Sequence, residues 1–379
     1  ARSWIRLREC GMYCGRTRNM AECKKGFLHG GDLQGAAEKS GRRPSELLDF
    51  SANINPLGMP PGVREAVLES LEQSLFYPDP FCRRLRKELA EYTGQKTEHI
   101  LCGSGGADLI YRLVYALRPK KALVTAPAFA EYEEALAQTG TEIVFHELGE
   151  SPVTETFLEK LSPDLELVFL CNPNNPTGLL TEKALIRELL ERSRKLGIRV
   201  LLDECFLDFV PEEKTYTASE LLEEYPNLVI LKSFTKLFAI PGLRLGYALC
   251  SDTELLLRMQ KAGQPWAVSE PAQAAGIAAL KAEGFQEETV RLIQRERAFL
   301  KKALEDLGFH VLDGQANYLC FRAEGDRNLT ERLLNEGILL RSCGNYRGLG
   351  EDYYRTAVRG REENERLLAA LGKVCGKHE

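Results

Sequence analysis

The sequence predicts an α/β protein whose mainly parallel sheet is buried between helices on both faces and joined to a smaller α+β domain. Three observations lead there. From residue 97 onward, short apolar runs recur at His99–Cys102, Ala122–Thr125, Glu142–His146, Leu165–Cys171, Arg199–Asp203, Leu228–Leu231 and Leu245–Cys250. Between most of them lie stretches with apolar residues three and four apart, at Ala107–Leu117, Glu131–Gln138 and Glu182–Lys195, which is the helical period. After about residue 270 this alternation stops. Strands that alternate with helices build parallel sheets covered on both faces, and such sheets hold their ligands at the carboxyl ends of the strands.

Taken in order, residues 1–28 stand apart. Arg2, Arg6, Arg8, Arg16, Arg18, Lys24 and Lys25 face only Glu9 and Glu22, with no helical period and no apolar core of the kind a secretory signal needs. They read as a poorly ordered extension outside the fold. Residues 29–58 read as an arm that packs with the small domain, 59–270 as the large domain and 271–379 as the small one. In that last part Pro271 to about Asp306 reads as one long helical region. Strands follow at His310–Leu312, Asn317–Arg322 and Tyr354–Arg359, with helices at Leu329–Glu336 and Glu362–Leu371. Two domains suit a length of 379 residues, well beyond the ~150 of a single typical domain.

Composition removes several classes of function. With 44% hydrophobic and 8% aromatic residues the chain can bury a core and does not read as disordered. Fifty basic residues against 55 acidic ones leave a formal charge of -5, too balanced for nucleic-acid binding by bulk charge. No apolar run approaches the ~18–20 residues of a membrane span. The 11 cysteines are odd in number, and most sit in strand-like runs, as Cys171, Cys205, Cys250 and Cys320 do. A thiol there is a small hydrophobe, which suits a reducing cytoplasm better than a disulfide framework. Cys10, Cys14 and Cys23 lack a fourth ligand at usable spacing, so no metal is expected.

Polar residues collect where strands end. Gly103-Ser104-Gly105-Gly106 lies between a strand and a helix; glycines let backbone amides approach a phosphate at a helix start, though the same turn also serves tight packing. Asn172-Pro173-Asn174-Asn175-Pro176-Thr177-Gly178 follows another strand and makes either a rigid structural loop or a fixed set of amide donors. Asp203-Glu204 ends the next strand, its carboxylates at the open edge of the sheet. Ser233-Phe234-Thr235-Lys236 follows the Leu228–Leu231 strand, and Arg244 stands in Pro241-Gly242-Leu243-Arg244-Leu245-Gly246-Tyr247. A lysine among Phe234, Leu237 and Phe238 is costly to bury as an ammonium, and a covalent imine gives a reason to tolerate it. Together a phosphate cradle, an acid, an asparagine loop and a lysine–arginine pair meet the needs of pyridoxal phosphate.

At this point the chain resembles the fold-type-I pyridoxal-phosphate enzymes, the aspartate aminotransferase superfamily. Asn175 in NNPTG, Asp203 in DE-x-F, Lys236 in SFTK and Arg244 in PGLRLGY carry the resemblance, which spans residues 29–375. It implies that Lys236 forms the imine with the cofactor and later moves protons at the substrate carbon, and that Asp203 holds the pyridinium proton. Asn175 would bond the ring oxygen and Phe129 would stack on the ring. The Gly106 and Ala107 amides, Ser233 and Arg244 would bind the cofactor phosphate. Tyr77 in Tyr77-Pro78-Asp79-Pro80 resembles the residue that reaches the phosphate in the partner subunit, which implies a homodimer with shared active sites. Arg355 matches the arginine for the substrate carboxylate.

Two branches compete. Histidinol-phosphate aminotransferases share the YPDP and NNPTG loops, and so do the threonine-phosphate decarboxylases of cobalamin biosynthesis. The latter resemblance extends to His29-Gly30-Gly31-Asp32, to Asp49-Phe50-Ser51-Ala52-Asn53-Ile54-Asn55-Pro56-Leu57-Gly58 and to Arg341-Ser342-Cys343-Gly344-Asn345-Tyr346-Arg347-Gly348-Leu349. Phe206 stands where the aminotransferase usually carries a tyrosine that helps hold the ring oxygen. The decarboxylase resemblance implies a phosphorylated amino acid, L-threonine O-3-phosphate, as substrate, in a pocket lined by His29, Ser51, Asn53, Asn175, Arg341 and Arg355. A third reading, a cofactor-binding regulator without turnover, is disfavoured by the intact lysine, acid and two arginines. Residue types do not encode which bond breaks, so decarboxylation rather than transamination is an expectation from resemblance.

Overall fold

The protein, as a computed structural model, is described over residues 29–376. The N-terminal extension with Cys10, Cys14 and Cys23 lies outside the described residues. In chain order the strands are β1 (Leu48–Asp49), β2 (Ile100–Gly103), β3 (Lys121–Ala126), β4 (Glu142–Glu147), β5 (Leu167–Cys171), β6 (Arg199–Asp203) and β7 (Leu228–Ser233). They continue as β8 (Gly246–Leu249), β9 (His310–Val311), β10 (Tyr318–Arg322), β11 (Ile338–Leu339), β12 (Arg341–Ser342) and β13 (Tyr353–Ala357).

The large sheet runs β2-β8-β7-β6-β5-β3-β4. Its pairings are parallel except those of β8, which is antiparallel to both β2 and β7. Every residue of β5 and β7 is buried, as expected for strands covered on both faces, which read as continuous apolar runs rather than alternating ones. The crossover helices Gly106–Leu117, Ala130–Ala137 and Lys183–Leu196 supply part of that cover. The seven strands expected before residue 270 are all present, each end within two residues of its expected place.

The second sheet is antiparallel, in the order β12-β13-β10-β9. The arm docks on it: β1 pairs in parallel with β11, the Phe50 amide donates to Leu339 O at 2.9 Å, and the Ala357 amide donates to Phe50 O at 2.8 Å. Residues of the arm are thereby held beside β13.

One expectation needs correction. The stretch from Pro271 to Asp306 is two helices, Glu270–Leu280 and Phe285–Asp306, not one. Gly284 adopts φ of 72° and starts the second helix, a conformation glycine takes without steric cost. The first helix packs on helices Val63–Ser70 and Arg83–Thr93, whereas the second packs against β9, β10 and the closing helix Arg361–Val374. A straight rod could not serve both faces.

Behind the sheet lies a buried charge cluster. Strand alternation places Ser233 and Lys232 on opposite faces of β7. Lys232 is 5% exposed and pairs with Asp208 Oδ1 and Glu213 Oε1, both at 2.8 Å, and with Glu204 Oε2 at 3.4 Å. Burial works against its ammonium, yet Asp208, Glu213 and Glu204 outweigh it and raise the Lys232 pKa well above the usual lysine value. Glu204 also accepts from the Thr217 hydroxyl at 2.8 Å and the Ala218 amide at 2.9 Å, and Gln286 Nε2 donates to Glu213 at 2.8 Å. These bonds clamp the ends of β6 and β7.

Lys232→Met should therefore leave three carboxylates buried without their cation and cost about 3–5 kcal/mol. Calorimetry should show a melting temperature at least ~6 °C lower; an unchanged transition would mean that the cluster contributes nothing to stability.

Candidate active site

Strand ends of the large sheet, the arm and the small sheet converge on a cavity of about 500 Å³. Every residue expected at the site except Tyr77 lines it: Gly106, Ala107, Phe129, Asn175, Asp203, Ser233, Lys236 and Arg244 from the large sheet's loops and helices, His29, Ser51 and Asn53 from the arm, and Arg341 and Arg355 from the small sheet. Tyr77 is 79% exposed and stacks on Trp266 with ring centroids 4.4 Å apart, outside this cavity.

Lys236 rides on a single helical turn, Phe234–Leu237, directly after β7. Ser233 opens the turn by accepting from the Thr235 amide, and its hydroxyl meets Thr235 Oγ1 at 2.8 Å. Phe234 and Leu237 anchor the turn in the core, so Lys236 is held facing the cavity. Its Nζ stands 5.7 Å from the centre of the Phe206 ring, and no hydrogen bond or ion pair holds it among the described residues. Burial, and then the positive charges of Arg355 and Arg244, lower its pKa to about 8. At pH 7 about a tenth of this lysine is thus a neutral amine, far more than for an ordinary lysine, and a neutral amine is the nucleophile an aldehyde needs.

Asp203 ends β6, one strand away. Its Oδ2 accepts from the Tyr132 hydroxyl at 2.6 Å and its Oδ1 from the Cys205 amide at 2.9 Å. Asn175 sits in the loop after β5, whose shape is fixed by Asn172, accepting from the Thr181 amide at 2.8 Å, and by the Asn174 amide donating to Leu179 O at 2.8 Å. Its Oδ1 is taken by Arg355 Nη1 at 2.6 Å, which leaves the Nδ2 amide as the group able to donate into the cavity. Phe129 caps the helix Ala130–Ala137 with its ring edge-on to Tyr132, centroids 5.7 Å apart.

The glycine turn forms a cradle. Gly105 has φ of 90°, and a Cβ there would lie 2.6 Å from Arg244 Nη2. Only a glycine lets this guanidinium close over the turn. Gly106 and Ala107 open the helix Gly106–Leu117, so their amides have no intrahelical acceptor and, with the positive end of the helix dipole, suit an anion. Asp108 accepts the Ser104 amide at 2.8 Å and Arg112 Nε at 2.9 Å, which stiffens the turn.

The opposite wall is cationic. Arg355 on β13 is 6% exposed; Nη2 donates to Ser51 O at 2.9 Å, Nε has no partner, and no carboxylate among the described residues pairs with it. Arg341 lies directly across from it on β12 and donates to Asn345 Oδ1 at 2.8 Å. Like charges opposed across strands repel, and a bound anion relieves that repulsion. Ser51 Oγ donates to Asp49 Oδ1 at 2.6 Å and accepts the Gly31 amide at 2.8 Å. Asn53 Oδ1 is a buried acceptor without a partner. His29 Nε2 meets Glu131 Oε1 at 2.7 Å, and that contact is the main reason the Glu131 carboxyl is held below its usual range.

Sequence reasoning missed Tyr132, Glu131 and Tyr346. Tyr132 is buried under the cavity and tethers Asp203. Glu131 and Tyr346 line it, and the Tyr346 hydroxyl lies 3.5 Å from Asn175 Oδ1. Tyr346 stands inside the quoted Arg341–Leu349 phrase and Glu131 and Tyr132 two and three positions after Phe129, so proximity to residues already singled out was the available signal.

The model for aminotransferase class I and II matches residues 45–371. The chain belongs to this family. It is 44% identical over 351 residues to the threonine-phosphate decarboxylase of Salmonella typhimurium, covering 91% of this chain and 96% of that one. Among solved structures it resembles the histidinol-phosphate aminotransferase of Clostridium acetobutylicum, with a TM-score of 0.82 and 31% identity over 88% of this chain and 100% of that one. It also resembles the L-threonine-O-3-phosphate decarboxylase of Porphyromonas gingivalis, with a TM-score of 0.78 and 27% identity over 86% of this chain and 99% of that one.

The residues present fit pyridoxal phosphate. A lysine shifted to about 8, an acid with both oxygens oriented and a cradle that a Cβ at residue 105 would fill answer its aldehyde, ring nitrogen and phosphate. Two outcomes follow. With cofactor-free protein, the rate constant for capturing added pyridoxal phosphate should rise with pH and level off above about 8, because protonation of Lys236 at lower pH removes the nucleophile; a rate still climbing at pH 10 contradicts the lowered lysine. Gly105→Ala should displace Arg244 and weaken cofactor binding at least tenfold by fluorescence titration, while the cofactor-free protein still folds.

Proposed function

We propose that the protein is a pyridoxal-phosphate-dependent carboxy-lyase that converts L-threonine O-3-phosphate to (R)-1-amino-2-propanol O-2-phosphate and carbon dioxide. The similarity to the Salmonella typhimurium threonine-phosphate decarboxylase supports this reading, and the resembled branch serves cobalamin biosynthesis. The observation that carries it is the cross-strand pair Arg341–Arg355, one member buried without a carboxylate. Such a wall suits a substrate bearing both a carboxylate and a phosphate, because charge-assisted bonds to an arginine fork are the strong ones.

When bound, the cofactor supplies an electron sink for the bond broken at the substrate Cα. The chain's own groups do the rest. Asp203, fixed by Tyr132 and Cys205, would hold the proton on the ring nitrogen. Asn175 Nδ2 would donate to the ring oxygen; Phe206, 7% exposed and packed edge-on to Tyr318, carries no hydroxyl to share that task. Gly106, Ala107, Ser233 and Arg244 would hold the cofactor phosphate. Arg355, braced by Asn175 and Ser51, would take the substrate carboxylate, with Arg341, His29, Ser51 and Asn53 around the substrate phosphate. By setting the rotation of the substrate about its Cα, these contacts would decide which of its bonds is broken. Lys236 Nζ would return a proton to Cα once carbon dioxide has left.

We place two copies in the working enzyme. Leu75, Phe76, Tyr77 and Phe81 are exposed together on one stretch, and a partner covering them would receive Tyr77 at its cofactor phosphate. No described helix is long and apolar enough to cross a membrane, and the described cysteines are free, which suits a cytoplasmic setting.

Purified protein given phosphothreonine should release one carbon dioxide per substrate, with no glutamate consumed or formed. Arg355→Leu should lower kcat/KM at least 100-fold. Glutamate formation from histidinol phosphate and 2-oxoglutarate without gas release would select the aminotransferase instead.

A further inference from the structure

We propose that Tyr132 is a positioning residue for the reaction and acts through Asp203. The inference rests on the reading of Asp203 as the partner of the cofactor ring nitrogen.

Tyr132 lies in the first turn of the helix Ala130–Ala137, immediately after Phe129, and is 1% exposed. Its ring is stacked on Phe169 of β5, with centroids 4.8 Å apart and planes 24° apart, and meets Phe129 edge-on at 5.7 Å. These contacts leave the ring little freedom. Its hydroxyl reaches Asp203 Oδ2 at 2.6 Å, a short charge-assisted bond. Burial and the neighbouring Asp203 charge push the Tyr132 phenol well above its usual pKa, so it remains a donor throughout the working range.

The arrangement has a consequence for the carboxylate. Asp203 carries four lone-pair sites on two oxygens; the Cys205 amide uses one on Oδ1 and Tyr132 one on Oδ2. Two donors from different elements fix both the rotamer and the plane of the group. The lone pairs left over point in a set direction rather than sampling several. Tyr132 also couples two cofactor contacts: the element that presents Phe129 to the ring face is tied by one bond to the acid at the ring nitrogen. Displacing one moves the other.

The test uses Tyr132→Phe, which deletes one oxygen and keeps the packed ring. In the wild-type background it should weaken pyridoxal phosphate binding about tenfold. In the loaded enzyme it should lower kcat at least tenfold and leave KM for phosphothreonine within about threefold. In an Asp203→Asn background the same change should alter cofactor affinity less than twofold, because the residue it acts through is already neutral; coupled sites are non-additive in this way. Equal weakening in both backgrounds would overturn the inference, as would a Tyr132→Phe enzyme with wild-type affinity and kcat. A variant melting more than 10 °C lower, with affinity, kcat and KM all impaired, would likewise replace positioning by a structural role. Wild-type protein that binds no pyridoxal phosphate would sink the reading of the site itself, which separates that failure from this one.

Discussion

More basic than acidic side chains line the cavity among the described residues, and much of the structure follows from that. Lys236, Arg244, Arg341 and Arg355 line it with the acids Asp203 and Glu131. Glu131 is engaged with His29 and Asp203 with Tyr132. Of the four cations only Arg355 is buried and Arg244 is exposed, yet crowding cations around a partly desolvated lysine is unfavourable, and the protein responds in two ways. The group that can shed its proton does so more readily, which is why Lys236 falls to about 8. The guanidiniums cannot, and they lean on neutral oxygens, Asn175 Oδ1 and Ser51 O for Arg355 and Pro241 O for Arg244. Neutral acceptors hold a charged group in place without satisfying it, which keeps the site receptive to anions.

The scaffold makes that imbalance tolerable. No single element supplies more than one of the cations: Lys236 comes from the helical turn after β7, Arg244 from the turn before β8, Arg341 from β12 and Arg355 from β13. The arm closes the gap through β1 and β11 and through the bond between Phe50 and Ala357. Behind the strand ends, Lys232 ties β7 to its three carboxylates.

What could be read from the sequence tracks how local the signal is. β5, β6 and β7 were legible because their unbroken apolar runs, five, three and four residues long, are bounded by polar residues and have few other uses than a covered strand. The motif residues were legible because they follow those strands directly. β1, β11 and β12 are two residues long and carry no period; they exist through the partners they meet. The break at Gly284 hid because apolar spacing continues on both sides of it while the packing partner changes. Tyr132 looks in sequence like one more core aromatic in a helix, and only the fold brings its hydroxyl to Asp203. The pairing of Arg341 with Arg355 is likewise a matter of register across an antiparallel ladder.

The back-to-back dipeptides at the ends of β6 and β7 have a further meaning. Asp203 looks into the cavity and Glu204 into the cluster behind; Ser233 looks into the cavity and Lys232 behind. Because side chains alternate along a strand, slipping either one by a single position would exchange the two members. The chemical face and the anchoring face therefore check each other: a misthreaded β6 would bury the wrong acid on both sides at once. Proofreading of strand alignment is built into these four residues, two bordering the cavity and two in the cluster behind it, so insertions or deletions within β6 or β7 are tolerated far less than point changes nearby.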